Sequence, residues 1–464
     1  MKKKLIEFPW EIVIIIVFMA MSVTACSRYT INFDEFYTMN WCRADWHEFF
    51  YEVLHDTSPF LYYYMVRPFA ILTGQNIFMA RLFSLAAMVI LCLVGIFFVK
   101  KYYGRKAAVF YLAIICFNPF MLQKSTEIRM YVWASAFTLL AGAYCYKLLV
   151  SATRKNWIFF TLFSLMGACT HYYVVLSLVF LYLGLFAWYA FCHKKEEMKS
   201  WLICGLVTVA VYLPFLVIAI FQIRESSGNW IPDPGSRLAP LKELFYTGIN
   251  GTEILYLLVM AVFTLMSVIV FLRTRKAEYY WSVICCSAIW GITAFGIVFG
   301  ELVKPIMLSR YLIMPVCLLF LGICPVVKYI NKYLVLALCF AFALASGIQY
   351  QSCVETLAKD HTVDMLQFAR ENIMENDKIV LVSGDDYLYN CTYYYIPQSD
   401  IYYTGDFQPE KLVNEEKMNE FWFFDSGEYM DPQEIAQAGL RAENYGHYQL
   451  GYIHFEVYKV KPLP

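Results

Sequence analysis

The sequence predicts a polytopic α-helical membrane protein that ends in a small α/β domain. Three observations carry this reading: the composition, the length of the apolar runs, and a change of character near residue 350. Of 464 residues, 60% are hydrophobic, 19% aromatic and only 16% charged, and the mean hydropathy is +0.51. A soluble domain of this size does not bury that much apolar surface, whereas a chain that crosses the lipid bilayer repeatedly does. Formal net charge is zero, and no basic stripe is present to follow a phosphate backbone, so no nucleic-acid partner is expected.

A helix needs roughly 20 apolar residues to cross the hydrocarbon core. Candidate spans run roughly 10–27, 82–99, 107–122, 130–149, 157–170, 173–191, 201–222, 253–272, 280–300, 307–327 and 333–349, about eleven in all. The first is too long for a signal peptide and has no small-residue cleavage site, so it reads as a retained anchor. Phe60–Leu72 is short and closely flanked by polar residues. It is expected to lie in the interface, within the first external loop.

Charge distribution orients these spans. With the N-terminus cytoplasmic, Lys2, Lys3 and Lys4 lie inside, and so do four further groups at Lys100–Lys106, Arg154–Lys155, Lys194–Lys199 and Arg273–Lys276. Lys328 and Lys332 complete the set. The opposite loops carry Asp34, Glu35, Asp56, Glu127, Glu225, Asp233 and Glu301. By the positive-inside rule the expected topology is N-terminus in and C-terminus out, in the cell membrane. Most of the fifteen cysteines fall within apolar spans and show no CxxC spacing, so they read as small apolar residues. Cys353 and Cys391 fall in the tail, where pairing is left open.

The expected domains are 1–350, transmembrane, and 351–464, extracytoplasmic. In the tail Lys378–Gly384 and Glu420–Asp425 read as strands, and Tyr448–Val460 as a hairpin or paired edge. Asp364–Met374 and Pro432–Leu440 have helical spacing, the second with Asp431 as its N-cap. There is no GxGxxG or P-loop, so no nucleotide role is expected. Ser383-Gly384-Asp385-Asp386 reads as a turn leading to a helix cap.

Polar clusters interrupt the outward ends of the spans. The first loop supplies Asp34, Glu35, His55 and Asp56; the next supplies Lys124, Glu127, Arg129 and Tyr131; further along come His171 with Tyr172, and Arg310 with Tyr311. Carboxylates at a membrane edge are costly to desolvate, which points to use. Glu127 and Arg129 are two residues apart and do not share a helix face, so Arg129 is not expected to be simply a partner for Glu127. Arg310 reads equally as a snorkelling side chain, and His171 as a hydrogen-bonded structural histidine.

A carboxylate can take a proton from an acceptor hydroxyl while arginines neutralise a departing phosphate. Together they fit transfer from a lipid phosphate carrier to an acceptor. A transporter is the competing class; against it, no inverted repeat of broken helices appears and the polar groups cluster at one face. No HxxxH or similar ligand spacing is present, so no metal residue is assigned; a divalent cation is the one cofactor left open.

At these residues the chain resembles glycosyltransferase family 39, the GT-C membrane transferases that include protein O-mannosyltransferases and lipid A aminoarabinose transferases. The matching elements begin with Asp34-Glu35 after the first span. Asp56-Thr57-Ser58-Pro59-Phe60-Leu61-Tyr62-Tyr63 is similar to the family's D-x-H-P-P-L-Y-Y. Ala80–Ser84, Glu127–Tyr131, Thr170–Tyr172 and Ser309–Pro315 follow in family order. The series covers residues 1–320, and the tail is also similar to tails of bacterial members. The resemblance implies a GT-C fold and an inverting transferase that uses a polyprenyl-phosphate-linked sugar donor and an extracytoplasmic acceptor. It casts Asp34 as the general base with Glu35 beside it. Asp56, His55, Glu127, Tyr131, His171, Tyr172 and Tyr311 would shape the sugar and acceptor sites, and Arg129 and Arg310 would meet the carrier phosphate. Where the family has His-Pro-Pro this chain has Ser58-Pro59-Phe60, which leaves that histidine's role unfilled. A polysaccharide polymerase or ligase of the same broad fold is the alternative within the class.

Overall fold

Long apolar runs become helices because in hydrocarbon every backbone N–H and C=O must be satisfied within its own segment. The computed structural model describes residues 9–225, 236–246, 249–382 and 386–464. Lys2–Lys4, Asp233 and the Ser383–Asp385 turn lie outside the described residues, as do the side chains of Glu225 and Asp386.

Among the described residues, eight helices are long and apolar enough to cross a membrane. They begin at Ile77, Tyr131, Tyr172, Lys195, Thr252, Ala277, Ser309 and Lys332. A ninth crossing is possible where Arg105–Cys116 and Pro119–Ser125 are joined with a 63° bend. The about eleven spans expected from apolar length thus resolve into these and two shorter helices. Trp10–Cys26 has 17 residues and Arg154–Ala168 has 15. The bend falls at Asn118-Pro119: Asn118 caps the second helix by accepting from the Met121 amide at 2.9 Å, and Pro119 sits where its missing N–H costs nothing. Phe60–Leu72 yields a 12-residue helix, Leu61–Leu72, too short to span.

The chain divides into two compact units. One is Met1–Cys26 with Trp41–Ser352; the other is Ser27–Asn40 with Cys353–Pro464. The segment 27–40, expected within the transmembrane domain, therefore clusters with the tail.

In the helical unit, three of the basic loops meet one another. Glu11 accepts from Arg105 at 3.0 Å and from Lys100 at 3.0 Å. Lys106 donates to the carbonyls of Lys328 and Ile330 at 3.1 and 2.9 Å, and Lys328 pairs with Glu278 at 3.2 Å. Tyr131–Val150 and Ser309–Tyr329 are the most enclosed spans, and Lys195–Gln222 is the least. Trp281 ties the centre together by donating to the Gly142 carbonyl at 2.8 Å.

The second unit holds a five-stranded sheet of β1 (Lys378–Val382), β2 (Asp400–Thr404), β3 (Phe421–Asp425), β4 (Leu440–Leu450) and β5 (Ile453–Pro462), in the order β2-β1-β3-β5-β4. The first three strands are parallel, and β5 runs antiparallel to both β3 and β4. Every residue of β3 is buried, as a strand covered on both faces requires. Val380, Phe421, Phe423, Leu440 and Val460 form its core. Helix Pro432–Gln437 has Asp431 as its cap, accepting from the Gln433 amide at 2.7 Å. Cys353 and Cys391 are free thiols.

Candidate functional site

In the helical unit the site is built where helices begin and end. Helix Trp46–His55 stops at Asp56, and Leu61–Leu72 starts five residues later. Arg67 holds these two helices together: its guanidinium lies 4.1 Å from the Trp46 ring centroid and donates to the Ala44 carbonyl at 2.7 Å. Cys169 accepts from the Leu61 amide at 2.9 Å, which fixes the start of the second helix against the 169–171 connection.

Tyr63 is fully buried and bridges two candidate residues. Its hydroxyl donates to Asp56 Oδ2 at 2.6 Å and accepts from Arg129 Nη1 at 3.3 Å. Burial pushes the Tyr63 phenol well above the usual tyrosine range, against the opposing pull of the Arg129 charge. Tyr63 therefore stays a proton donor to Asp56 across the working pH range. Arg129 itself sits in the turn between Pro119–Ser125 and Tyr131–Val150 and is 7% exposed. Glu127, in the same turn, is paired with Lys124 at 2.8 and 3.0 Å.

His171 caps helix Tyr172–Phe191, where its Nδ1 accepts from the Tyr173 amide at 3.1 Å. An acceptor Nδ1 is unprotonated, and the electrostatics agree. Burial, then the charges of Arg129 and Arg310, pull His171 down to about 3. The imidazole is neutral and both guanidiniums act on it. Around it stand Tyr311 and Tyr131, with ring centroids 4.9 and 5.8 Å away. Arg310 and Tyr311 come from the short turn Ser309–Leu312, where Ser309 donates to Glu243.

Asp56, Arg129, Tyr131, His171, Arg310 and Tyr311 are thus brought into one neighbourhood, with Tyr63 joining them. Two other candidates face elsewhere. His55 is exposed, its ring lies 4.1 Å from Tyr51, and its Nδ1 is 2.7 Å from the Tyr51 carbonyl. Tyr172 is hydrogen-bonded to Gln222. Gln222 also donates to the Leu54 carbonyl at 3.0 Å, and both line an apolar cleft of about 240 Å³ with Phe60 and Phe215. Gln222 was missed from sequence, although a lone amide near the end of an apolar helix is a usable signal. Lys124 was also readable, three residues before Glu127 on a helical turn.

Asp34 and Glu35 belong to the other unit, in the first turn of helix Phe33–Arg43. They are neighbours with different surroundings. Glu35 is 0% exposed; its carboxylate accepts from the Asn32 amide at 2.9 Å and lies 3.8 Å from Arg28. That is the reciprocal arm of a capping box, a carboxylate reaching back to the residue before the helix. Asp34 is half-buried, and its carbonyl accepts from the Thr38 hydroxyl at 3.1 Å.

Among the described residues no three His, Cys, Asp or Glu side chains converge as metal ligands. No step is assigned through a metal ion.

No family model matches the sequence, and no curated protein matches it. Solved structures do. ArnT from Cupriavidus metallidurans in the apo state is similar with a TM-score of 0.63 at 12% identity, over 97% of both chains. The same protein bound to undecaprenyl phosphate gives 0.51 at 12% identity, over 97% of this chain and 98% of that one. The oligosaccharyltransferase of Archaeoglobus fulgidus in complex with Zn and sulfate gives 0.50 at 12% identity, over 89% of this chain and 68% of that one. At such identity the likeness speaks for the fold. The chain has the fold of ArnT, with a small sheet domain at its C-terminal end.

Proposed function

We propose that this protein is an inverting glycosyltransferase that moves a sugar from a polyprenyl-phosphate carrier to an acceptor hydroxyl outside the cytoplasm. The observation that carries this reading is the gathering of Arg129 and Arg310 around a neutral His171. Two buried or half-buried cations beside an uncharged imidazole make a site for an anion. The crystal structure of ArnT with undecaprenyl phosphate supplies a carrier of that chemistry on the same fold.

The reaction charges the carrier as it proceeds. The acceptor oxygen bonds to the anomeric carbon while the bond from that carbon to the phosphate oxygen breaks. The bonding pair leaves on the phosphate, which passes from a singly charged diester to a more highly charged monoester. The acceptor proton goes to a carboxylate, and Asp34 is that base by the resemblance. Arg129 and Arg310 then act more strongly on the transition state than on the donor, which is the condition for raising kcat. Tyr63 orients Arg129 and ties it to Asp56. His171, Tyr131 and Tyr311 wall the sugar position. Glu127, with its charge met by Lys124, and Tyr172 and His55 stand further out as acceptor-side candidates.

Basic loops meeting around Glu11 and Lys106 support a cytoplasmic N-terminus, since positive loops are retained inside. The C-terminal domain would then be extracytoplasmic.

The test measures release of undecaprenyl phosphate from a panel of undecaprenyl-phosphate-linked sugars by the purified protein in nanodiscs, with an envelope extract as acceptor. Mass spectrometry identifies the product. Transfer is expected with at least one donor and should disappear in Asp34→Asn, which keeps fold and carrier binding. Full transfer by Asp34→Asn removes that residue from the role of base. Movement of an intact donor across proteoliposomes without transfer would favour a transporter, and lengthening of a glycan chain would favour a polymerase.

A further inference from the structure

We infer that the C-terminal domain is a positioning device for Asp34, acting through Asp360 and three tyrosine hydroxyls that clasp residues 29–32. The inference rests on the reading of Asp34 as base. Its grounds lie within the second unit alone.

The four residues that lead into the Asp34 helix are each held by the tail. Tyr395 donates to the Tyr29 carbonyl at 2.6 Å and Tyr387 to the Ile31 carbonyl at 2.7 Å. Tyr452 donates to Asn32 Oδ1 at 2.9 Å. Thr30 gives both its amide and its hydroxyl to Asp360 Oδ2, at 2.6 and 2.7 Å. Phe36, fully buried in the next turn, packs against Tyr387, Tyr394 and Tyr395 with ring centroids 5.5, 6.0 and 6.4 Å away. A tether would need one such contact. Five hydrogen bonds on four consecutive residues fix the position and direction of the helix start, which is where helices otherwise fray.

The clasp is itself braced. The second oxygen of Asp360 accepts from the Thr362 amide at 3.1 Å, and the Thr362 hydroxyl accepts from the Gly451 amide at 3.0 Å. Gly451 occupies the turn between β4 and β5 at φ +64°, where a side chain is strained. A Cβ there would also collide with the Tyr387 hydroxyl. One glycine thus forms the turn and leaves room for the tyrosine that reaches Ile31. Inside the helix the Glu35 capping arm closes the last gap, on the Asn32 amide. A general base must be held within a fraction of an ångström of its productive place, and a displacement of about 1 Å can cost a hundredfold. The clasp supplies that constraint to a carboxylate in the first turn of helix Phe33–Arg43.

The test uses full-length protein in nanodiscs and the undecaprenyl-phosphate-linked sugar it turns over, with radiolabelled undecaprenyl phosphate as the binding probe. In Asp360→Ala and Gly451→Ala, kcat is expected to fall on the order of tenfold to a hundredfold while donor KM and carrier binding hold. Asp360→Asn should recover part of the rate, because its amide oxygen still accepts both Thr30 bonds while its NH2 cannot accept from the Thr362 amide. Tyr387→Phe deletes one oxygen from an otherwise intact fold and should show a smaller fall in kcat alone. Adding Asp360→Ala to Asp34→Asn should change nothing further. Unchanged kcat in folded Asp360→Ala and Tyr387→Phe overturns the inference and leaves the role of Asp34 standing. So does a parallel loss of kcat, carrier binding and thermal stability, which marks a purely structural clasp. Full transfer by Asp34→Asn alone overturns the base reading and the inference with it.

Discussion

Tyr63→Phe isolates the link between Asp56 and Arg129. The substitution removes one oxygen and keeps the ring, which packs edge-on against Trp41 at 5.0 Å and Tyr62 at 5.9 Å, so it opens no cavity. Two hydrogen bonds are lost. The bond to Asp56, at 2.6 Å, is charge-assisted, but Asp56 is half-buried and water can replace the donor. Its loss should cost about 1–2 kcal/mol of stability. The bond from Arg129 is long at 3.3 Å and worth about 0.5–1 kcal/mol. Only this second term bears on carrier binding, because it sets where the guanidinium points. The expected result is a two- to fivefold rise in Kd for undecaprenyl phosphate, by about 1.4 kcal/mol per tenfold. Arg129→Ala, which removes the charge, should cost far more, about 2–5 kcal/mol. Equilibrium binding of radiolabelled carrier to nanodiscs measures both. An unchanged Kd in Tyr63→Phe beside a large loss in Arg129→Ala would refute the orienting role. A loss as large as that of Arg129→Ala would show that the fold, not the orientation, had failed.

Two further outcomes follow from the same neighbourhood. His171 is held neutral with a pKa of about 3, below its unfolded value near 6.5. Below pH 6.5 the unfolded chain binds a proton that the native chain refuses, so stability is full above that pH. It falls as pH drops toward 3, with a limiting slope of about 1.4 kcal/mol per pH unit. His171→Gln should flatten this dependence in detergent-solubilised unfolding between pH 7 and pH 5, and an unaltered slope would mean that other groups set it. Arg310→Ala should weaken binding of undecaprenyl phosphate with little change in thermal stability; unchanged affinity would mark Arg310 as a snorkelling side chain.

Features that depend on composition along one segment were legible in the sequence. The apolar runs and the tail's apolar strands fall close to where periodicity places them. The eleven apolar runs correspond to eight long helices, one bent pair and the two shorter helices Trp10–Cys26 and Arg154–Ala168. Features that depend on distant partners were not legible. The clasp on residues 29–32 joins side chains more than 300 positions away to backbone carbonyls, and a carbonyl carries no sequence signature. Strand β2 was missed because its five residues are only partly covered. The helix Asp386–Tyr395 begins where the sequence reads a helix cap at Ser383–Asp386, although its tyrosine run favours strand locally and tertiary packing overrides that preference. In the site, Tyr131, His171 and Arg129 were flagged by type and order, but the bridging position of Tyr63 needed the fold.

The adjacent carboxylates Asp34 and Glu35 show what geometry adds to a motif. Successive helical residues point about 100° apart, so a shared motif position does not imply a shared role. Glu35 is enclosed and spends its oxygen on the Asn32 amide, with Arg28 3.8 Å away. Its work is to hold the helix start, worth about 1 kcal/mol as a cap and more if the burial is left unmatched. Glu35→Gln keeps an oxygen for that amide, so transfer should persist near the native rate. Glu35→Ala removes the cap and should lower thermal stability together with kcat. Asp34→Asn should do the reverse, leaving stability intact and ending transfer. If Glu35→Gln proved as inactive as Asp34→Asn while folding normally, the charge of Glu35 would be required in the reaction. The two carboxylates would then have to be read as a pair.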